Sequence, residues 1–140
     1  MYIGFDTSNY TTSIATYDGK IIRQAKQVLT VKQGERGLRQ SDAVFQHTVN
    51  MPKLCKELEF DVPKAVGVST RPRNVDGSYM PCFLVGENVA TVLSSVNNVP
   101  MYKTSHQVGH ILAALYSADM LELINQRFIA FHLSGGTTEA

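Results

Sequence analysis

Two histidines four residues apart, His106 and His110, are the side chains of this sequence best suited to bind a ligand. Within a helix this spacing places both imidazoles on one side, where they can bind a single cation. At about 100° per residue the apolar side chains of the same segment lie on the opposite side, so the pair is not expected in the core. The alternative is a pair of surface histidines, and two protein ligands alone are too few for a stable site. The apolar side chains are Val108, Ile111, Leu112 and Leu115.

A hydroxyl-rich segment that starts with a carboxylate follows the first strand-like run. It begins with Asp6, Thr7 and Ser8 and continues to Thr12. Backbone N–H groups and hydroxyls in such a turn can bind phosphate oxygens, and Asp6 can hold a metal or its waters. The alternative is an ordinary hairpin turn in which the Ser, Thr and Asn side chains form local hydrogen bonds.

Paired glycines lie near the end of the sequence, after an apolar run that ends at Leu133. The segment is Ser134-Gly135-Gly136-Thr137, and paired glycines let a ligand approach the backbone closely. It is not a P-loop, because no lysine follows the glycines, and it lacks the G-x-G-x-x-G spacing. The segment is therefore either a phosphate-facing loop or a glycine-rich hairpin.

The elements that must position these residues alternate between strands and helices. β-rich runs and the Asp18-Gly19 turn predict three antiparallel strands within residues 2–31, and Ala65–Val68 predicts a buried central strand. Apolar periodicity predicts helices, the first of which Ser41-Asp42 caps and Pro52 kinks or divides. The predicted order is βββαβαβαβ, an α/β fold. After the first three strands the ranges are 41–58, 65–68, 82–97, 100–105, 106–120 and 128–133.

Length and composition exclude several classes of protein. The chain has 140 residues, of which 44% are hydrophobic and 18% charged, with a formal net charge of +1, so neither a nucleic-acid tail nor an acidic disordered segment is expected. No apolar stretch approaches the roughly 20 residues of a membrane span, and the start does not resemble a signal peptide. Cys55 and Cys82 lack C-x-x-C spacing and are expected to be reduced structural thiols. These features predict a cytoplasmic protein without a membrane partner.

Taken together, the motifs resemble the TsaD/Gcp family, formerly called O-sialoglycoprotein endopeptidases or M22 glycoproteases. The resemblance rests on Asp6-Thr7-Ser8, on Ser105-His106-Gln107-Val108-Gly109-His110 and on Leu133-Ser134-Gly135-Gly136-Thr137-Thr138. Cys82 to Gly86 and Val99-Pro100 also match, so the resemblance spans nearly the whole chain.

The resemblance implies a ribonuclease-H-like lobe of the actin/hexokinase/heat-shock chaperone (ASKHA) superfamily, with a mixed sheet in βββαβαβα order. Residues 1–126 would form the first lobe, and 127–140 the first strand and glycine turn of a second lobe. The implied activity is transfer of a threonylcarbamoyl group from its adenylate to an adenosine of tRNA, performed with protein partners of the threonylcarbamoylation machinery.

The resemblance also assigns residues to ligands. His106 and His110 match two metal ligands, with iron or zinc as the expected metal and magnesium as a further candidate. Two segments match the parts of the family that face ATP or threonylcarbamoyl-adenylate. These are Asp6, Thr7 and Ser8, and Leu133, Ser134, Gly135, Gly136 and Thr137.

Departures from the family pattern suggest a divergent paralogue. The usual glycine-proline-glycine loop is replaced by Thr70 to Gly77, the motif glutamate by Val108, and a common histidine by Thr137. The family's third metal ligand, an aspartate near its carboxyl terminus, has no counterpart here. We therefore expect an amino-terminal fragment, inactive by itself, whose last strand lacks its own sheet and exposes an edge, pairs with a second copy or is disordered.

Two other functions stay open at this level. A lobe without catalytic activity would act as a docking surface for partners. A metallopeptidase is disfavoured, because Gln107 follows the first histidine where a zinc peptidase of the H-E-x-x-H type needs a glutamate to activate water.

Overall fold

A computed structural model describes residues 1–31, 37–133 and 138–139. The strands and helices follow the predicted order, and a short 3-10 turn, Leu121–Asn125, comes after the last helix. The elements are β1 (Tyr2–Ser8), β2 (Thr11–Tyr17), β3 (Ile22–Val28), α1 (Gln40–Cys55), β4 (Ala65–Arg71), α2 (Phe83–Asn97), β5 (Met101–Ser105), α3 (His106–Ser117), β6 (His132–Leu133) and β7 (Thr138–Glu139).

Five strands form one mixed sheet in the order β3-β2-β1-β4-β5. β1, β2 and β3 are an antiparallel meander, whereas β4 pairs in parallel with β1 on one side and with β5 on the other. Gly19, with a φ of 106°, allows the tight turn between β2 and β3. The predicted α/β class, the mixed sheet and the order of the elements along the chain are confirmed.

The main core lies between the sheet and the helices α1 and α2. β1 and β2 bury alternate side chains on this side, as period-two strands require, and β4 is buried at adjacent positions because it lies inside the sheet. Three threonines of β1 and β2 point the same way, so part of the buried face is polar. The largest apolar members are Ile3, Phe5, Ile14, Met51, Leu54, Val66 and Val68, and the threonines are Thr7, Thr12 and Thr16.

Helix α3 lies against the opposite side of the sheet. The Tyr116 ring meets the Tyr17 ring edge to face, with centroids 6.5 Å apart, and a Cβ on Gly109 would lie 3.8 Å from Ser69 Oγ. No residue of α3 is buried, and Leu112 is 39% exposed. The apolar side of this helix is therefore only partly covered, with Val108, Ile111 and Leu115 half-buried, instead of belonging to the core as its periodicity indicates.

The helix details differ from the sequence prediction in three places. Helix α1 continues through Pro52 without division and ends three residues later, so few backbone hydrogen bonds are affected. Its N-cap is Arg39, without a side-chain cap bond, instead of Ser41 or Asp42. In α2, Val96 was expected on the buried side but is 79% exposed. None of the described helices is long and apolar enough to cross a membrane.

The last predicted strand is much shorter in the structure. Within the expected range 128–133, only His132–Leu133 is a strand, and it pairs with Thr138–Glu139 separately from the main sheet. Ile129 and Phe131 are 79% and 73% exposed, because the five-stranded sheet offers them no partner strand. The division of the chain at 126 stays a prediction.

Candidate functional site

The candidate site lies where β1 ends and α3 begins. The parallel strands β1, β4 and β5 end at the same edge of the sheet, and α3 follows β5 without a loop. Ser105 caps α3 by accepting a hydrogen bond from the Val108 N–H at 3.2 Å. This cap fixes the direction of the helix, so that its first residue, His106, points back to the end of β1.

A row of polar side chains runs from the sheet along the helix. His106 Nδ1 donates to Asp6 Oδ2 at 2.9 Å, and His106 Nε2 lies 2.9 Å from His110 Nε2. The two imidazole rings are nearly perpendicular, at 81°, with centroids 4.3 Å apart. The sequence prediction that both histidines lie on one side of a helix is confirmed, and Asp6 joins them through the fold.

Asp6 is held in its charged form. Burial by itself would raise the pKa of this carboxyl group. The hydrogen bond from His106 and the charge of that ring lower the pKa and together outweigh burial, and hydrogen bonds from the Ser69 hydroxyl and the Ser8 N–H lower it further. The result is a pKa lowered to about 2. An ionised Asp6 can only accept a hydrogen bond, so His106 Nδ1 carries the proton that joins the two side chains.

His110 is held in its neutral form. Partial burial in the cavity wall lowers the pKa of this imidazole, and the neighbouring His106 and His132 lower it further, while the charge of Asp6 raises it. A neutral imidazole is the form that ligates metals.

These residues line a cavity of about 750 Å³ at the edge of the sheet. Asp6, Ser8, His106 and His110 contribute to its wall, and Lys26 of β3 supplies a cation. Its volume lies within the range of small-molecule sites. The cavity therefore places a carboxylate, two imidazoles and an amine around one space.

The hydroxyl-rich segment forms the end of β1 instead of the predicted loop, because Asp6, Thr7 and Ser8 all pair with β2. Asp6 and Ser8 lie on the cavity side. Thr7 points to the opposite side and is fully buried, where its hydroxyl donates to the Cys82 carbonyl and accepts from the Gly86 N–H. Thr7 therefore ties β1 to the start of α2 and does not line the cavity.

Side chains of helix α1 form hydrogen bonds with the turn between β1 and β2 and with the start of β2. Gln40 Nε2 donates to Asn9 Oδ1 at 2.7 Å, and the buried His47 Nδ1 lies 2.8 Å from Thr12 Oγ1. Asn50 Nδ2 also donates to Thr12 Oγ1, at 3.3 Å. His47 was not singled out from the sequence, since a histidine inside an amphipathic helix carries no distinctive pattern.

One imidazole near the site was also missed. The ring of His132 stacks on that of His110 at a centroid distance of 5.5 Å and an angle of 29°. The available signal was a single histidine within the apolar run that ends at Leu133. The neighbouring candidates Ser134, Gly135, Gly136 and Thr137 lie outside the described residues, and of Leu133 only its place in β6 is described.

No protein-family model and no curated protein matches the chain. Among solved structures it is similar to YeaZ from Pseudomonas aeruginosa, with a TM-score of 0.54 and 16% identity over 85% of this chain and 49% of that one. An uncharacterized protein described as similar to peptidase YeaZ from Pseudomonas aeruginosa has a TM-score of 0.46 and 14% identity, over 74% and 42% of the two chains.

The chain spans about half the length of the YeaZ structure, and at this identity the likeness shows the fold alone. The chain is thus an α/β lobe with an ASKHA-like fold, similar to that of YeaZ.

Proposed function

We propose that this chain is the metal- and nucleotide-binding lobe of a threonylcarbamoyltransferase-like protein that acts on tRNA adenosine. The observation that carries the proposal is the row formed by Asp6, His106 and His110 in the wall of the cavity. Its support from sequence is the resemblance of the same residues to the TsaD/Gcp motifs. The lobe would act together with further protein and with the partners of the threonylcarbamoylation machinery.

The donor set fits a divalent metal. A carboxylate that receives one ring N–H of a histidine whose other nitrogen faces the ion is a common arrangement around metals. The two Nε2 atoms, 2.9 Å apart, are close enough for one ion with bonds of about 2.0–2.1 Å to reach both. Imidazole nitrogens favour zinc or iron over magnesium, which prefers oxygen.

The remaining ligands would come from water or from the substrate. Among the described residues, no group of three or more His, Cys, Asp or Glu side chains could hold a metal ion. An incomplete protein shell leaves positions for substrate oxygens. When bound, the ion would orient phosphate or carboxylate oxygens of the acyl donor and offset charge that develops during transfer.

The nucleotide part of the proposal rests on the wall of the cavity. Ser8 offers its hydroxyl and Lys26 its ammonium group to phosphate oxygens, and both line the cavity with His106. ATP or threonylcarbamoyl-adenylate would bind here. Ser134 to Thr137 stay predicted members of the same site.

Isothermal titration with Zn²⁺, followed by ATP with and without the metal, tests binding directly. We expect one equivalent of Zn²⁺ in the wild type and at least tenfold weaker binding in His106→Ala and His110→Ala. His47→Asn is the matched control, because it removes a buried histidine that does not reach the cavity. Zinc binding that is absent, or unchanged in both site variants, would refute the metal site.

Acyl transfer is tested in a strain from which the complete gene is deleted. We expect its deletion to remove threonylcarbamoyladenosine from tRNA, and wild type but not His106→Ala to restore it. Unchanged tRNA modification in the deletion strain would refute the transferase assignment.

A partner-docking role has a specific observation in its favour. The outer sides of α1 and α2 expose apolar pairs at helical spacing: Phe45 and Val49 are 69% and 40% exposed, and Val92 and Val96 are 63% and 79% exposed. Apolar residues clustered on the surface often mark an interface with another protein. We expect Phe45→Glu combined with Val96→Glu to abolish co-purification with the partner proteins while leaving Zn²⁺ affinity unchanged.

A further inference from the structure

The imidazole of His132 comes from a part of the chain remote from the other site residues. It belongs to β6, in the two-stranded pairing that is separate from the main sheet. Its ring lies against the ring of His110, 5.5 Å away and inclined by 29°, within the range of offset-stacked aromatic pairs. The row that begins at Asp6 therefore ends at His132.

His110 needs such a contact more than His106 does. The ring of His106 is fixed by the hydrogen bond from Nδ1 to the Asp6 carboxylate. His110 is exposed on a helix without buried residues, and its described hydrogen bond is to His106 only. An exposed side chain with one such bond samples several rotamers.

We propose that His132 is a positioning residue, which stacks on His110 and holds its Nε2 toward His106. The inference rests on the proposed metal-binding function, because it assigns to His132 the role of orienting a ligand of that metal.

Stacking explains the geometry better than direct ligation by His132. The lone pairs of an imidazole lie in the plane of its ring, so two rings that share one ion must direct their edges to a common point. Rings inclined by only 29° and stacked present their faces to each other. Consistently, the described residues contain no group of three side chains able to hold one ion.

Two substitutions separate the two roles. His132→Phe keeps an aromatic ring but has no nitrogen, whereas His132→Ala removes both. By Zn²⁺ titration we expect about 3- to 10-fold weaker binding in His132→Ala and binding within about twofold of wild type in His132→Phe. Equal losses in both variants would show that the nitrogen ligates the metal, and no loss in His132→Ala would show that the stack is not needed; either result overturns the proposal.

A measurement without metal keeps this inference separate from the proposed function. The ring current of His132 shifts the ring-proton NMR signals of His110, so His132→Ala should move those signals and His132→Phe should restore a shift. Unmoved signals in His132→Ala would overturn the stack, with or without a metal. Absence of Zn²⁺ binding in the wild type, with the NMR shifts as expected, would instead refute the metal site and leave the stack in place. His47→Asn serves as the control in both measurements, and amide spectra report that each variant is folded.

Discussion

The buried histidine under the β1–β2 turn makes the stability of the lobe depend on pH. His47 is fully buried, and its Nε2 has no hydrogen-bond partner among the described atoms. Burial lowers the pKa of this imidazole below its ordinary 6.5, against smaller opposing effects of the Ser8 backbone and the Asp6 charge. The native protein therefore keeps His47 neutral at pH values where the unfolded chain protonates it.

The sign and size of the effect follow from proton linkage. Between the lowered pKa and 6.5 the unfolded state binds a proton that the native state lacks, so the free energy of unfolding falls as pH falls through this window. Above pH 6.5 His47 is neutral in both states, so its contribution to the free energy of unfolding is fully present and no longer changes with pH. One proton corresponds to at most about 1.4 kcal/mol per pH unit, which is the steepest slope that His47 can contribute within this window.

Urea unfolding at several pH values between 7.5 and 5 measures this term. His47→Asn removes the titrating ring while an amide can still reach Thr12, so its free energy of unfolding should fall less steeply with pH than that of wild type. Thr12→Val is the matched control, because it removes the hydrogen-bond partner but keeps His47 titratable. The pKa of His110 is lowered as well, and the difference between wild type and His47→Asn excludes its contribution. Parallel pH curves for wild type and His47→Asn would refute the reasoning.

Three further predictions concern the packing around the site: a glycine substitution, the removal of a helix cap and the alkylation of a buried cysteine. In Gly86→Ala the new Cβ would lie 3.0 Å from Thr7 Oγ1, which two hydrogen bonds hold in place, so thermal unfolding should show a loss of about 1–3 kcal/mol in the free energy of unfolding. Gly109→Ala is the control, because its new Cβ would lie 3.8 Å from the nearest atom and should cause no loss. Equal losses in the two variants would contradict this account. Ser105→Ala removes the N-cap of α3 and should cost about 1 kcal/mol by urea unfolding, whereas an unchanged stability would mean that the cap is unimportant. The Cys82 thiol is fully buried, and burial raises its pKa to about 11. Mass spectrometry should therefore detect at least tenfold slower alkylation of Cys82 at pH 8 than of the partly exposed Cys55. Equal rates would show that the core around Cys82 opens to solvent.

The fold could be predicted from the sequence to the level of element order. Period-two runs, the Asp18-Gly19 turn and apolar helical spacing are local signals, and each gave an element close to its observed position. The exposure of Val96 and of the apolar side of α3 could not be predicted, since periodicity identifies an apolar side without identifying what covers it. The last strand was wrong for the same reason, because a β-rich run becomes a strand only where a partner strand is present.

The residues of the site could be predicted one by one from the sequence, but their contacts with each other could not. His106 and His110 could be found from their helical spacing, and Asp6 from its position after a strand. Their contact depends on the parallel pairing of β1, β4 and β5, which brings the end of β1 to the start of α3. The stacking of His132 depends on the path of the chain after α3, for which the sequence has no local signal.

The distance along the chain between Asp6 and His106 determines when the site can form during synthesis. The two residues are 100 positions apart, and a ribosome that adds about 5–20 residues per second makes His106 some 5–20 s after Asp6. During that interval the antiparallel strands β1, β2 and β3 can already pair, because their contacts are local, while Asp6 still lacks its hydrogen-bond partner His106. The row of polar side chains at this edge can therefore form only after the strands that support Asp6 have been made.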